Sequence, residues 1–207
     1  HIVKNIERIV ANSANTRSRI EKYYGRNDAI VLGGGIEYEK FRNDGDKKYF
    51  FYPSRISPNK RQEYVMHAFE ILKKRLRGYK LVLAGDVSKD RFYYDYYLRI
   101  RKLAERIGDV RIVEGPPDSK LIDLYAGSTA VLFSAINEDY GLVPLEAMAS
   151  SKPIISVNEG GPRETVIDGK TGFLVNGVKE MADRMYEIAQ NEQLAERMGR
   201  NGRKRVM

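Results

Sequence analysis

Within the segment NEDYGLVPLEAMA, residues 137–149, Glu138 and Glu146 stand at either end of a strand-to-helix turn, and their types and spacing suit the binding of a diphosphate that carries hydroxyls on both sides. The run TAVLFS just before it, residues 129–134, is short, apolar and β-branched and reads as a buried strand. From Leu142 onward LVPLEAMASS takes on helical spacing. Pro144 suits the first turn of a helix, where its missing N–H costs nothing. The amides of Gly141, Leu142 and Val143 are then free at the positive end of the helix dipole, an arrangement that binds phosphate. Glu138 falls on the loop before this end and Glu146 about one turn inside the helix, so the two carboxylates can accept hydrogen bonds from hydroxyls on two sides of an anion. The pair alone also has a plainer reading, because a Glu in the first helical turn is often only a partner of the dipole.

The surrounding stretch NEDYGLVPLEAMASSKPIISVNEGGPRETVIDGKTGFLV resembles the donor-site signature of the retaining GT-B glycosyltransferases of family 4, enzymes that use nucleotide sugars. The resemblance extends along the chain in the family's order, through RIVANS (8–13), AIVLGGGIEYEKF (29–41), FYPSRISPNK (51–60) and LVLAGD (81–86). It implies the C-terminal, donor-binding half of a GT-B enzyme, and transfer with retention at the anomeric carbon without a metal. It also implies that Arg55 and Lys60 meet the donor's diphosphate, where a forked guanidinium and a compact ammonium pair with oxygens whose charge grows as the leaving group departs. Outside that pattern the same two cations read as solvated loop charges around Pro58. The resemblance further assigns Glu138 to the sugar hydroxyls, Glu146 to the ribose, and the backbone near Gly85 and Val113 to the base. Two departures from the commonest wording are Asp139 and Tyr140, which replace a Gly and a Phe and alter the contacts beside the sugar. A third is Ser151, where a Gly usually precedes Lys-Pro. The Glu-Asp-aromatic-Gly wording is similar to members that use GDP-mannose, so that donor is preferred over UDP and ADP sugars. A non-catalytic sugar-nucleotide-binding domain is the alternative reading.

The elements that must position these residues alternate. Strands are predicted near Arg8, Ala29, Tyr49, Lys80, Val110, Thr129 and Pro153, and helices near Asn15, Gln62, Phe92, Leu121, Leu142, Val178 and Gln193. That alternation predicts an α/β, doubly wound, mostly parallel Rossmann-like sheet, whose ligands bind at the carboxyl ends of the strands. Ser54, Gly85, Gly115, Ser134 and Asn158 lie at or just past those ends. Residues 1–207 read as one nucleotide-sugar-binding domain, too short for both halves of a GT-B enzyme, so the acceptor-binding half is expected to be absent. The triplet Gly33-Gly34-Gly35 lacks the spacing of a dinucleotide fingerprint and reads as a flexible turn; the family likeness turns it toward the interdomain cleft. Asp44-Gly45-Asp46 reads as a solvated turn. On the helix RFYYDYYLRIRKLAERI, Phe92, Tyr93, Tyr96, Tyr97, Ile100, Leu103 and Ala104 form a wide apolar stripe that leaves some tyrosines exposed.

Composition bounds the partners. The chain has no cysteine, which excludes disulfides and thiolate metal sites, and its two histidines, His1 and His67, offer no metal-ligand spacing, so no metal and no cofactor are expected. No apolar run approaches membrane-spanning length, the N-terminus does not read as a signal peptide, and a cytoplasmic location is expected. The net charge is +8 and the pI about 9.5. Lys73, Lys74, Arg75 and Arg77 crowd the end of one helix, and Arg197, Arg200, Arg203, Lys204 and Arg205 the last. Such clusters serve solubility and helix dipoles, or an anionic membrane surface carrying a lipid-linked acceptor at the inner face. A dehydrogenase would need a glycine fingerprint that RIVANSANTRSRIEKYYG lacks, and no nucleic-acid partner is expected. The expected partners are a nucleotide-diphosphate sugar and a saccharide or lipid-linked acceptor.

Overall fold

The apolar runs predicted as strands pair as strands in the computed structural model of the chain, which describes residues 5–207. Five of them and one further strand build one sheet: β3 (Tyr49–Pro53), β4 (Lys80–Gly85), β5 (Val110–Glu114), β6 (Ala130–Phe133), β7 (Ile154–Val157) and β8 (Gly172–Val175). Their order is β5-β4-β3-β6-β7-β8 and every neighbouring pair is parallel. The inner strands read as continuous apolar runs because helices cover both faces. Phe50, Phe51, Leu81, Leu83, Val131, Leu132, Ile154 and Ile155 are all fully buried. Each such side chain contributes about 1.5–3 kcal/mol of burial. β8 and the short α6 (Pro162–Thr165) escaped the sequence reading, since a four-residue strand opening on glycine has no legible period.

Helices α2 (Gln62–Lys73), α3 (Arg91–Ile107), α4 (Asp118–Ala126), α5 (Leu142–Ala149), α7 (Val178–Gln190) and α8 (Glu192–Val206) connect and flank these strands. α2 packs against α3 and α7, and α5 against α8. The chain runs outward from β3 through β4 to β5 and then returns to β6 beside β3. The β3/β6 junction is therefore the point where strand order reverses, the position at which sheets of this kind form their ligand crevice at the carboxyl ends. The loops that border it are residues 54–61 and 134–141.

The first two predicted strands do not join this sheet. β1 (Val10–Ala11) and β2 (Ile30–Val31) pair in parallel as a sheet of their own, with α1 (Ala14–Tyr24) between them. Alternation along a sequence tells strand from helix but not which sheet a strand enters. α1 buries none of its residues, and Val10, Ile30 and Leu32 remain more than half exposed.

The stripe on α3 is narrower than its spacing predicted. Tyr96, Tyr97, Ile100 and Ala104 are buried and Leu103 partly so, whereas Phe92 and Tyr93 are exposed on the helix's first turn. Several cations of the two basic clusters have structural work. Arg203 donates to the carbonyls of Tyr38 at 2.8 Å, Phe41 at 3.2 Å and Ala149, and Arg205 donates to those of Thr165 and Glu164. Lys73 caps α3 through the carbonyls of Ile107 and Gly108 and pairs with Asp109, while Arg75 pairs with Asp183 and lies over the Tyr186 ring. His67 is exposed on α2 beside Glu70, and His1 lies outside the described residues.

Candidate functional site

Lys60 and Glu138 meet across the crevice. Lys60 closes the tight turn Pro58–Lys60 after β3, and its ammonium lies 2.6 Å from Glu138 Oε2 on the loop after β6. Both side chains are three-quarters buried or more. The carbonyl of Lys60 accepts the hydroxyls of Tyr52, near the end of β3, and of Ser134, just past β6, which together fix its backbone. The Ile136 amide donates to the Asn59 carbonyl at 2.9 Å and binds the two loops directly. Arg61 adds a further tie: it donates to the Ser134 carbonyl at 2.6 Å and its guanidinium reaches Glu159 at 3.2 Å. It does so from a left-handed backbone, φ 52°, uncommon for a side chain of this size.

Arg55 is placed differently. It is exposed, and its guanidinium makes no hydrogen bond or ion pair among the described residues. It lines a cavity of about 250 Å³ with Ser57, Asn59, Lys60, Phe92 and Tyr93. One of the two expected diphosphate cations is thus free, and the other is held by Glu138.

The helix α5 starts as its sequence requires. Gly141 enters it at φ 85°, no side chain caps it, and Pro144 falls in its first turn. Leu142 is exposed and Val143 and Tyr140 are half-buried. The glycine triplet is not a free turn but lies against this helix start. A Cβ on Gly33 would come 2.9 Å from the Tyr140 hydroxyl, and one on Gly34 would touch Tyr140 and Leu142. Ser151, in the place of the usual glycine, adopts φ 53° just past the helix end.

Glu146 occupies the other side. It accepts a hydrogen bond from the Tyr125 hydroxyl at 2.5 Å and lines a cavity of about 370 Å³ with Gly35, Ile36, Phe41, Asp118, Leu121 and Tyr125. Burial pushes the Glu146 carboxyl up from the ordinary glutamate range, and the Tyr125 hydroxyl partly offsets that shift. Tyr125 is itself buried between the rings of Phe41 and Phe51. It is a residue of the candidate site that the sequence did not point to; its place on the apolar stripe of α4 signals a buried phenol in need of a partner, but not which partner.

Gly85 and Val113 lie at the carboxyl ends of β4 and β5, paired in register with Glu114 and Ala84. Neither lines the Glu146 cavity. Gly85 has a packing reason, since a Cβ there would sit 2.1 Å from the Ser54 carbonyl oxygen. Asp44-Gly45-Asp46 is an exposed turn; Asp46 accepts from Thr129, and the Gly45 carbonyl accepts from the buried Lys152 ammonium at 2.7 Å. Among the described residues no three His, Asp or Glu side chains converge as a metal-binding group.

A cation and a carboxylate at a strand-order reversal, beside an uncapped helix start, define an α/β ligand-binding domain of the Rossmann-like kind. Residues 36–205 match the family model described as Glycosyl transferases group 1, and the chain belongs to that family of GT-B enzymes. Capsular polysaccharide biosynthesis glycosyltransferase CapM of Staphylococcus aureus is 28% identical over 198 residues, covering 87% of this chain and 51% of CapM. A GDP-mannose-dependent alpha-(1-6)-phosphatidylinositol monomannoside mannosyltransferase of Mycobacterium tuberculosis is 30% identical over 220 residues, 94% of this chain and 55% of that protein. The fold is similar to that of Anabaena HepE, solved in complex with UDP and glucose, with a TM-score of 0.86 at 20% identity over 96% of this chain and 58% of that one. The chain spans about half the length of the curated relatives it matches. No helix among the described residues is long and apolar enough to cross a membrane.

Proposed function

We propose that this chain is the donor-binding part of a retaining glycosyltransferase, taking a nucleotide-diphosphate sugar and serving hexosyl transfer to a saccharide or lipid-linked acceptor. The observation that carries the reading is the Lys60–Glu138 pair beside the uncapped start of α5, the helix that also carries Glu146. In this reading the diphosphate lies on the amides of Gly141, Leu142 and Val143, with Arg55 and Lys60 balancing the charge of the leaving group. Glu146 accepts the ribose hydroxyls at the mouth of its cavity. A phosphate that approaches Lys60 must share it with Glu138, so donor entry frees the Glu138 carboxylate for the sugar hydroxyls and for positive charge developing on the ring. Catalysis is then mainly electrostatic, and retention and independence of metal or cofactor belong to the proposal.

GDP-mannose is the favoured donor, supported by the Glu-Asp-Tyr-Gly wording and by the GDP-mannose-dependent relative. A cytoplasmic place and a peripheral contact with an anionic membrane extend the reading. Phe92, Tyr93 and Tyr94, exposed beside Arg91 and Arg99, support that contact better than the helix-end clusters, whose cations are partly engaged.

Calorimetric titration of GDP, UDP, ADP and NAD, then GDP-mannose and UDP-glucose, tests the proposal on the wild-type chain and on Glu146→Ala. Selective binding of one nucleotide, weakened about tenfold or more by the substitution, is expected, ~1.4 kcal/mol or more. Binding of NAD alone, or nucleotide binding indifferent to Glu146, would overturn it.

A further inference from the structure

The hydrogen bonds and ion pairs that Ser13, Ala14, Asn15 and Arg19 make to the six-stranded domain fall on Glu138, Asp139 and Glu164. The Ser13 hydroxyl donates to the Asp139 carbonyl, Asn15 Nδ2 donates to the Glu138 carbonyl at 3.3 Å, and Arg19 pairs with the Asp139 carboxylate. The amides of Ala14 and Asn15 each donate at 2.9 Å to one oxygen of Glu164, whose charge faces the positive end of α1. Arg205 donates to the Glu164 carbonyl, so this anchor reaches through α8 into the main domain. Residues 5–35 also pack Gly33 and Gly34 against Tyr140 and Leu142, but their strands form a separate sheet and no residue of α1 itself is buried.

The loop they grip has no ladder of its own. Between β6 and α5 it passes through Asn137 at φ 48° and Gly141 at φ 85°, so partners outside the loop must decide its shape. Glu138 stands between two of them. Its carboxylate meets Lys60, and its carbonyl accepts from both Asn15 and the Gly161 amide.

We propose that Ser13, Asn15 and Arg19 are positioning residues for Glu138: the first turns of α1 hold the 137–141 loop in the shape that presents the Glu138 carboxylate to the donor's sugar. The proposal rests on the reading of Glu138 as the sugar-side carboxylate. Coupling of this kind is reciprocal, so a bound sugar nucleotide in turn secures residues 5–35 against the domain.

The test is the ratio of the dissociation constants of sugar nucleotide and nucleoside diphosphate, measured by calorimetry on the full 207-residue chain. The pair used is GDP-mannose with GDP or UDP-glucose with UDP, whichever the wild type binds more tightly. Asn15→Ala, Arg19→Ala and Ser13→Asp are compared with Arg19→Lys. Ser13→Asp keeps an acceptor for the Thr16 amide, and so keeps the α1 cap, but removes the donor to Asp139. The first three are expected to raise the ratio about threefold or more while the nucleoside diphosphate alone binds within about twofold of wild type, and Arg19→Lys to stay near wild type. Glu138→Gln is the reference. If it moves the ratio and the α1 variants do not, the positioning role is overturned; if it does not, the reading of Glu138 falls and the proposal with it. Hydrogen exchange adds a readout that needs no ligand. Exchange at residues 138–141 about tenfold faster in Asn15→Ala and Ser13→Asp, with β3 and β4 unchanged, is expected, and unaltered exchange would overturn the proposal.

Discussion

Glu146 and its partner Tyr125 set how the proposed site responds to acid. Burial raises the Glu146 carboxyl above its usual 4.5. On the proposed reading the ribose needs the carboxylate, so nucleotide affinity is full above the raised value and is lost as pH falls through it. Tyr125→Phe removes the hydrogen bond that favours the charged form and raises that value further. The acid limb of nucleotide binding is therefore expected to move to higher pH, which titration across pH 4.5 to 7 measures, and an unshifted limb would contradict the assignment. Arg61 offers a second residue-scale test. Its left-handed backbone strains any residue but glycine, while its guanidinium holds Ser134 and Glu159. Arg61→Ala loses the bonds and keeps the strain, so urea denaturation is expected to show it about 1 kcal/mol less stable than Arg61→Gly. The placement of Glu138 before the helix start and of Glu146 inside it was legible in the sequence because a strand-turn-helix pattern surrounds them. Tyr125 and Arg61 were not, because a hydroxyl's partner and a backbone's hand are decided by what folds against them.

At the scale of elements, the close approach of β3 and β4 fixes the start of the loop that carries Arg55 and Lys60. The Ser54 amide donates to the Ala84 carbonyl at 2.9 Å, and the Ser54 carbonyl leaves no room for a Cβ on Gly85. Gly85→Ala must push the Arg55 loop away, and thermal unfolding is expected to register a loss of about 1–3 kcal/mol. A loss below a few tenths would mean that the two strand ends slide freely. The alternation of strands and helices was legible almost throughout, since apolar runs and amphipathic stripes carry it. The separation of β1 and β2 from the main sheet was not, because strand pairing is a long-range contact. The exposed first turn of α3 followed from the same cause: its spacing promised a stripe, but no sheet lies under Phe92 and Tyr93.

For the whole molecule, one buried cation ties stability to pH. Lys152 is 4% exposed, and burial lowers its ammonium to about 8 from the usual 10.5. The unfolded chain then holds more protons than the folded one between those values, so stability rises as pH climbs through that window and its penalty is complete below it. Denaturation curves from pH 7.5 to 10.5 are expected to show this slope in the wild type and a flatter one in Lys152→Met. A second expectation concerns catalysis. The chain spans about half of its relatives, so sugar transfer by these residues alone is expected to be slow beside nucleotide binding. A turnover assay with the donor that binds decides it, and transfer at rates typical of complete enzymes, about 1 per second or faster, would refute it.

Residue types and their local order determined the fold class, the family and the candidate anion site, because apolar periodicity, a proline in a helical first turn and carboxylates at fixed offsets are properties of contiguous sequence. Only the tertiary structure decided that Lys60 is held by Glu138 while Arg55 stands free, that Glu146 shares its charge with Tyr125, and that α1 grips the loop between β6 and α5. Those pairings join residues far apart in the chain. They form only when separate elements pack together, where burial and partner geometry, not spacing along the sequence, govern each charge.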